Sequence, residues 1–245
     1  MTDILAVRDI SKTFGALRAI QSLSFTLARG ETLGIAGPNG SGKSTLFNIL
    51  TKIPFAPDRG EVTLDGVSLS GLSARGIVQA GLVRIFQTET DFETLSVIKN
   101  ILVALPDEDY REGRAAAERR ALELLDYVDL RSQRDRIASE ITVYDRKKLM
   151  IATALACRPK VLLLDEPAAG LSKPEVGQMV DLIRRINADG VSIIVIEHII
   201  SMLLSVSSRL LVLNFGELLA EGAPEDVMRD PRVIEAYLGT ATVHA

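Results

Sequence analysis

The sequence predicts an α/β protein: a buried parallel sheet interleaved with helices, an antiparallel β portion in the first quarter, and a helical insert in the middle. Three observations predict it. Residues 161–164 and 191–196 are short runs apolar on both faces, separated by a helical pattern around 175–187, as in strands covered by helices on both sides. Residues 4–10, 23–27 and 61–66 instead alternate apolar and polar positions, which suits strands with one face on a core. Between about 92 and 157 the texture turns helical, with Ala121, Leu125 and Val128 on one helical face and charges opposite.

The elements follow one another in a consistent order. The turn Arg29-Gly30-Glu31 leads into a short apolar strand at 32–36, then a glycine-rich loop and an apolar helix at 44–50. A second turn at Pro57-Asp58-Arg59-Gly60 precedes the alternating run 61–66. The core is expected over 1–88 and 159–245, with the helical insert at 89–158. No internal repeat or low-complexity tract stands out.

Composition bounds the functional classes. The chain has 245 residues, a net charge of −4, 47% hydrophobic and 24% charged residues, which is ordinary globular usage. Disorder and a basic nucleic-acid surface are both disfavoured. Cys157 is the single cysteine, so no intrachain disulfide or cysteine-based metal cluster is expected. The most apolar stretch, 191–206, carries Glu197 and His198 in its middle, which a membrane span would not tolerate cheaply. The first ten residues lack the basic and apolar regions of a secretory signal, so a cytoplasmic location is expected.

The chemistry concentrates at strand ends. Gly37, Pro38, Asn39, Gly40, Ser41, Gly42, Lys43 and Ser44, followed by Thr45, fit G-x-x-x-x-G-K-[ST] between a strand and a helix, where a phosphate-cradling loop belongs. Backbone N–H groups and the helix N-terminus would hold phosphate, Lys43 would reach its β- and γ-groups, and the Ser44 hydroxyl would ligate Mg2+. Asp165 and Glu166 end the apolar run 161–164, a costly place for acids that have no use for their charge. Asp165 suits the surroundings of Mg2+, and Glu166 is placed to activate a water against the γ-phosphate. His198 follows the next apolar strand and faces the ligand crevice of such a sheet, either as a γ-phosphate contact or as a satisfied structural histidine.

Together these residues resemble the ATP-binding subunits of ATP-binding cassette (ABC) transporters over essentially the whole chain. The resemblance implies a P-loop NTPase (RecA-like) core, ATPase activity, and ATP and Mg2+ as cofactors. By similarity, residues 37–45 are the Walker A loop, Asp165 and Glu166 the Walker B aspartate and catalytic glutamate, and His198 the switch histidine. Gln87 matches the Q-loop glutamine that senses Mg2+ and the transmembrane partner. Phe14 matches the aromatic platform under adenine, with a small-sheet core residue as the alternative. Ser172 stands in the D-loop where Asp or Asn is commoner. Within the family, the segment from Asp165 to Gly170, the run Ala220-Glu-Gly-Ala-Pro224 and the run from Pro231 to Gly239 resemble the branched-chain amino acid uptake group. That likeness implies a second, non-identical ATPase subunit in a heterodimer, two membrane-spanning permease subunits, a periplasmic solute-binding protein, and attachment at the inner face of the membrane through the permeases. Urea, short amides and aromatic acids remain open as solutes.

One departure bears on activity. The family signature reads L-S-G-G-Q, or L-S-Y-G-D-Q in this group, and works by offering a hydroxyl and backbone N–H groups to the γ-phosphate held by the other subunit. Here the segment is Ile141, Thr142, Val143, Tyr144 and Asp145, with no glycine. Thr142 keeps a hydroxyl. The expectation is that the Tyr144 ring stands where backbone should meet phosphate, the alternative being that it turns aside. The degenerate segment motivates a second reading, a regulatory or weakly active subunit. Arg146-Lys147-Lys148 reads as a solvated helix face rather than a nucleic-acid patch. A cassette acting on nucleic acid is disfavoured by the net charge, and a metabolite kinase would not explain Gln87 and His198 together.

Overall fold

The apolar runs form the middle of a parallel sheet. A computed structural model describes residues 2–87 and 91–238. It begins with two twelve-residue strands, β1 (Asp3–Phe14) and β2 (Leu17–Ala28), paired as a hairpin through the turn at Gly15. Both run beyond the predicted 4–10 and 23–27, carrying register shifts that let long strands twist. Next come β3 (Thr32–Ala36), α1 (Lys43–Thr51), β4 (Arg59–Leu64), β5 (Val67–Ser68), α2 (Ala74–Ala80) and β6 (Leu82–Ile85). The insert supplies α3 (Val97–Ala104), α4 (Arg114–Tyr127) and α5 (Val143–Ala156). The chain returns through β7 (Val161–Asp165), α6 (Lys173–Ala188), β8 (Ser192–Ile196) and α7 (Ile200–Val206), then closes with β9 (Arg209–Asn214), β10 (Glu217–Gly222), α8 (Pro224–Val227) and α9 (Pro231–Leu238).

Two sheets result among the described residues. One has the order β2-β1-β4-β5 and is antiparallel; the other has the order β10-β9-β3-β8-β7-β6, parallel except for β10. The two-residue side-chain period divides each central strand between two cores. Val161 and Leu163 of β7, with Ile194 and Ile196 of β8, join α1 and the antiparallel sheet. Leu162, Leu164, Ile193 and Val195 join α6, α7 and the insert. The insert therefore shares its core with the sheet. Ala121, Leu125 and Val128 are buried there, on the face that the sequence indicates.

The expected boundary at 88/89 and Gly239 of the tail run lie outside the described residues. Among the described residues, no helix is long and apolar enough to cross a membrane. The run Arg146-Lys147-Lys148 differs from expectation. Lys147 and Lys148 are buried, their ammonium groups donating to the carbonyls of Gln87 and Asp129, and Arg146 pairs with Asp91 at 2.8 Å. Long aliphatic stems can line a core while the charged tip reaches a carbonyl. The cation run therefore does not mark a solvated face.

Candidate functional site

Every strand of the parallel set delivers its carboxyl end to one edge, and the sequence places its polar residues just past those ends. After β3 the loop 37–42 turns through glycines at positive φ, including Gly37 at 143° and Gly42 at 106°. A Cβ at Gly37 would stand 2.2 Å from the Leu213 carbonyl oxygen, and one at Gly42 would stand 2.7 Å from that of Ala19, so neither position admits a side chain. Gly42 begins α1 without any side-chain cap, which leaves first-turn N–H groups pointing into the cleft. The cleft is about 750 Å3 and is lined by residues 39–45, Gln87, Glu166, His198, and Leu17, Arg18, Ala19 and Gln21 of β2.

Lys43 crosses the loop, its Nζ donating to the carbonyl oxygens of Gly37 (2.7 Å) and Pro38 (3.0 Å). Burial lowers its pKa, while the carboxylates of Glu166 and Asp165 pull the other way. Ser41 Oγ is buried and has no hydrogen-bond partner among the described residues. An orphaned hydroxyl, an uncapped helix start and an ammonium at one concave loop fit a polyphosphate.

Across the cleft, Glu166 is held from both sides. Gln87 Nε2 donates to Glu166 Oε2 at 2.6 Å, and His198 Nε2 lies 2.7 Å from Oε1. Glu166 takes a left-handed φ of 50°, and its N–H donates to the Ile196 carbonyl at 2.9 Å. Such a conformation costs a non-glycine residue about 1–3 kcal/mol and turns this carboxylate out of the sheet edge. The neighbouring Asp165 stays buried and accepts from Arg84 Nη2 at 2.6 Å.

Three contributors escaped the sequence reading. Arg84, inside β6, joins Asp165 to Asn48 of α1, its Nη1 donating to Asn48 Oδ1 at 2.7 Å. Glu197, 3% exposed, accepts from Ala168 N–H (2.7 Å) and from the N–H groups of His198 (2.9 Å) and Ile199 (3.2 Å), which ties the end of β8 to the segment after Glu166. Phe215, 78% exposed in the β9–β10 turn, lines the cleft rim. A charge inside an apolar strand and an acid in the most apolar stretch were available signals for the first two; the third had none.

Phe14 is not among the residues lining the cleft. At 41% exposure it is no core residue either; its ring meets Phe55 edge-on, centroids 4.9 Å apart. Ser172 is the N-cap residue of α6, its N–H and hydroxyl both donating to the Glu175 carboxylate (2.7 and 2.6 Å).

Thr142–Asp145 lies away from the cleft, at the start of α5. Thr142 is the N-cap, its Oγ1 accepting from Asp145 N–H at 3.1 Å. Asp145 takes a hydrogen bond from Gln133 (2.7 Å) and pairs with Lys148 (2.9 Å). Burial alone would raise its pKa, but these donors outweigh it and hold the carboxyl below its ordinary value. The expectation for Tyr144 is corrected. Its ring packs against the sheet–helix core in a groove with Val128, Asp129, Gln178 and Arg185, under the Lys148 ammonium (4.9 Å). Burial, then Asp145 and Asp129, raises its hydroxyl pKa. The exposed residues at the helix tip are Thr142 and Val143.

Residues 20–169 match the family model described as ABC transporter. The chain belongs to the ABC transporter family. It is an ATP-hydrolysing cassette. A second model, described as branched-chain amino acid ATP-binding cassette transporter, matches residues 217–242 of the cassette. It is 36% identical over 252 positions to the high-affinity branched-chain amino acid transport ATP-binding protein LivG of Salmonella typhimurium, covering 97% of this chain and 98% of that one. To the corresponding protein BraF of Pseudomonas aeruginosa it is 33% identical over the same shares. A crystal structure of an ABC transporter cassette in its ADP conformation superimposes with a TM-score of 0.87 at 28% identity, covering 98% of this chain and 100% of that one.

Proposed function

We propose that this cassette drives an importer of branched-chain amino acids or related small solutes, paired with a second, non-identical cassette beneath two permease subunits on the cytoplasmic face. The clamp on Glu166 between Gln87 and His198, facing the phosphate loop, carries the catalytic part of this reading. The tail match over 217–242 supports the solute class.

The residues present suit ATP with Mg2+. Among the described residues no cluster of three His, Cys, Asp or Glu side chains could hold a metal unaided. Ser44 and Gln87, both on the cleft, would hold it together with phosphate oxygens, with Asp165 behind them. The ion supplies charge neutralisation at the β- and γ-phosphates. Lys43 and the first-turn N–H groups of α1 hold the phosphates. Glu166 accepts the proton of the attacking water, and Gln87 and His198 keep its carboxylate aimed. Thr142, Val143, Tyr144 and Asp145 present the start of α5 to the nucleotide on the partner cassette; with the Tyr144 ring turned aside, the backbone there stays open. Phe14 remains the candidate adenine platform on family likeness, its exposed ring lying outside the cleft lining.

Calorimetry and steady-state turnover test this. Lys43→Ala should remove most ATP affinity; affinity within twofold of wild type would overturn the loop assignment. Glu166→Gln should preserve binding and reduce hydrolysis by about 10²–10⁴. Solute class is read from stimulation of the reconstituted complex by leucine-type solutes against urea and amides.

A further inference from the structure

The phosphate loop is gripped from outside by the C-terminal segment, at three separate places on its main chain. Near the end of β9 the Leu213 carbonyl oxygen fills the space where a Gly37 side chain would begin. In the β9–β10 turn the Gly216 N–H donates to the Ser41 carbonyl at 3.0 Å. From α9 the Tyr237 hydroxyl accepts the Gly37 N–H at 2.8 Å.

The third contact comes from a helix placed with care. Asp230 accepts the Arg232 N–H at 2.9 Å before the first turn, and Val233 is wholly buried in the sheet–helix core. Tyr237 follows Val233 by four positions, so the two lie on one face of α9. The helix is thus seated at its start, and its last turn brings a phenol to the first peptide of the loop. Burial raises the phenol pKa, so at neutral pH Tyr237 acts as a neutral hydroxyl.

We infer that Tyr237 is a positioning residue for the phosphate loop: its hydroxyl fixes the peptide of Gly37 in the nucleotide-holding conformation, so that docking of α9 and nucleotide occupancy stabilise each other. The inference rests on the reading of residues 37–45 as the nucleotide loop. Reciprocity is required by linkage: if the docked helix favours nucleotide, nucleotide must tighten the helix by the same factor. A purely structural tyrosine would stabilise the fold without linking the two.

The experiment uses the full-length chain with ATP·Mg2+. In wild type, amide exchange of 231–238 should slow when nucleotide is added. Tyr237→Phe should weaken ATP binding about three- to tenfold, as expected for losing one hydrogen bond at a buried N–H, and should abolish the nucleotide-dependent slowing. An ATP affinity of Tyr237→Phe within twofold of wild type, or tail exchange in wild type indifferent to ATP, overturns the inference. The second arm needs no variant, so a folding defect cannot mask the answer. Lys43→Ala separates the premises: if it loses ATP while Tyr237→Phe binds normally, only the role of Tyr237 falls. If Lys43→Ala binds ATP normally, the loop reading itself falls.

Discussion

Arg84 shows how one side chain organises chemistry it does not perform. Its guanidinium is nearly enclosed, donating to Asp165 and Asn48, with the Phe86 ring 4.4 Å from Cζ and Nε left without a partner among the described residues. A buried ion pair is a weak contributor to stability when intact, yet removing one partner strands a charge at a cost of about 3–5 kcal/mol. Arg84→Met should therefore lose about that much stability in urea unfolding at neutral pH. Adding Asp165→Asn to that variant should recover part of the loss, because the stranded charge disappears. Strict additivity of the two substitutions would show that the pair is not coupled. The same pair explains why Asp165 stays turned inward while Glu166, its neighbour, turns out at positive φ into the grip of Gln87 and His198.

Among the elements, the start of α5 departs furthest from its expected reading. Thr142 caps it, so Thr142→Ala should cost about 1 kcal/mol, the usual value of an N-cap. Tyr144→Gly removes a half-buried ring and adds backbone freedom, which should destabilise the helix without raising turnover; a faster variant would restore the idea that the ring obstructs phosphate. Asp145 adds a pH signature. Its folded pKa is depressed, so its contribution is present above the ordinary carboxylate pKa of 3.8 and is lost as pH falls through the lower folded value. The stability gap between wild type and Asp145→Asn, present at neutral pH, should shrink in that acid range. Elements bounded by turns and filled by one kind of residue were legible: β3 matches its predicted range, and β7 and β8 each differ by one residue at a single end. So was the loop 37–45, because its glycines answer to local geometry. Residues whose roles depend on distant partners were not. Arg84 meets Asp165 across 81 positions, and Tyr237 meets Gly37 across 200. Lys147 and Lys148 misled for the same reason, since a cation run looks solvated until the carbonyls that receive it are known.

At the scale of the whole molecule, the nucleotide site divides, on the proposed reading, into two halves that do not face each other within one chain. The phosphate loop, Gln87, Glu166 and His198 share one cleft at the carboxyl edge of the parallel sheet, whereas Thr142–Asp145 lines no part of it. A complete site then needs the loop of one cassette and the α5 start of another, and a two-fold arrangement would supply both sites at once. This argues for turnover that depends on association. The per-chain ATPase rate of the purified protein should climb with protein concentration and level off once paired. Thr142→Arg, which puts a long cation at the α5 start, should flatten that climb while leaving ATP affinity of the single chain unchanged. Lys43→Ala should remove both. A per-chain rate constant over a hundredfold range of concentration, or a Thr142→Arg variant that loses ATP affinity as Lys43→Ala does, would place the whole site within one chain.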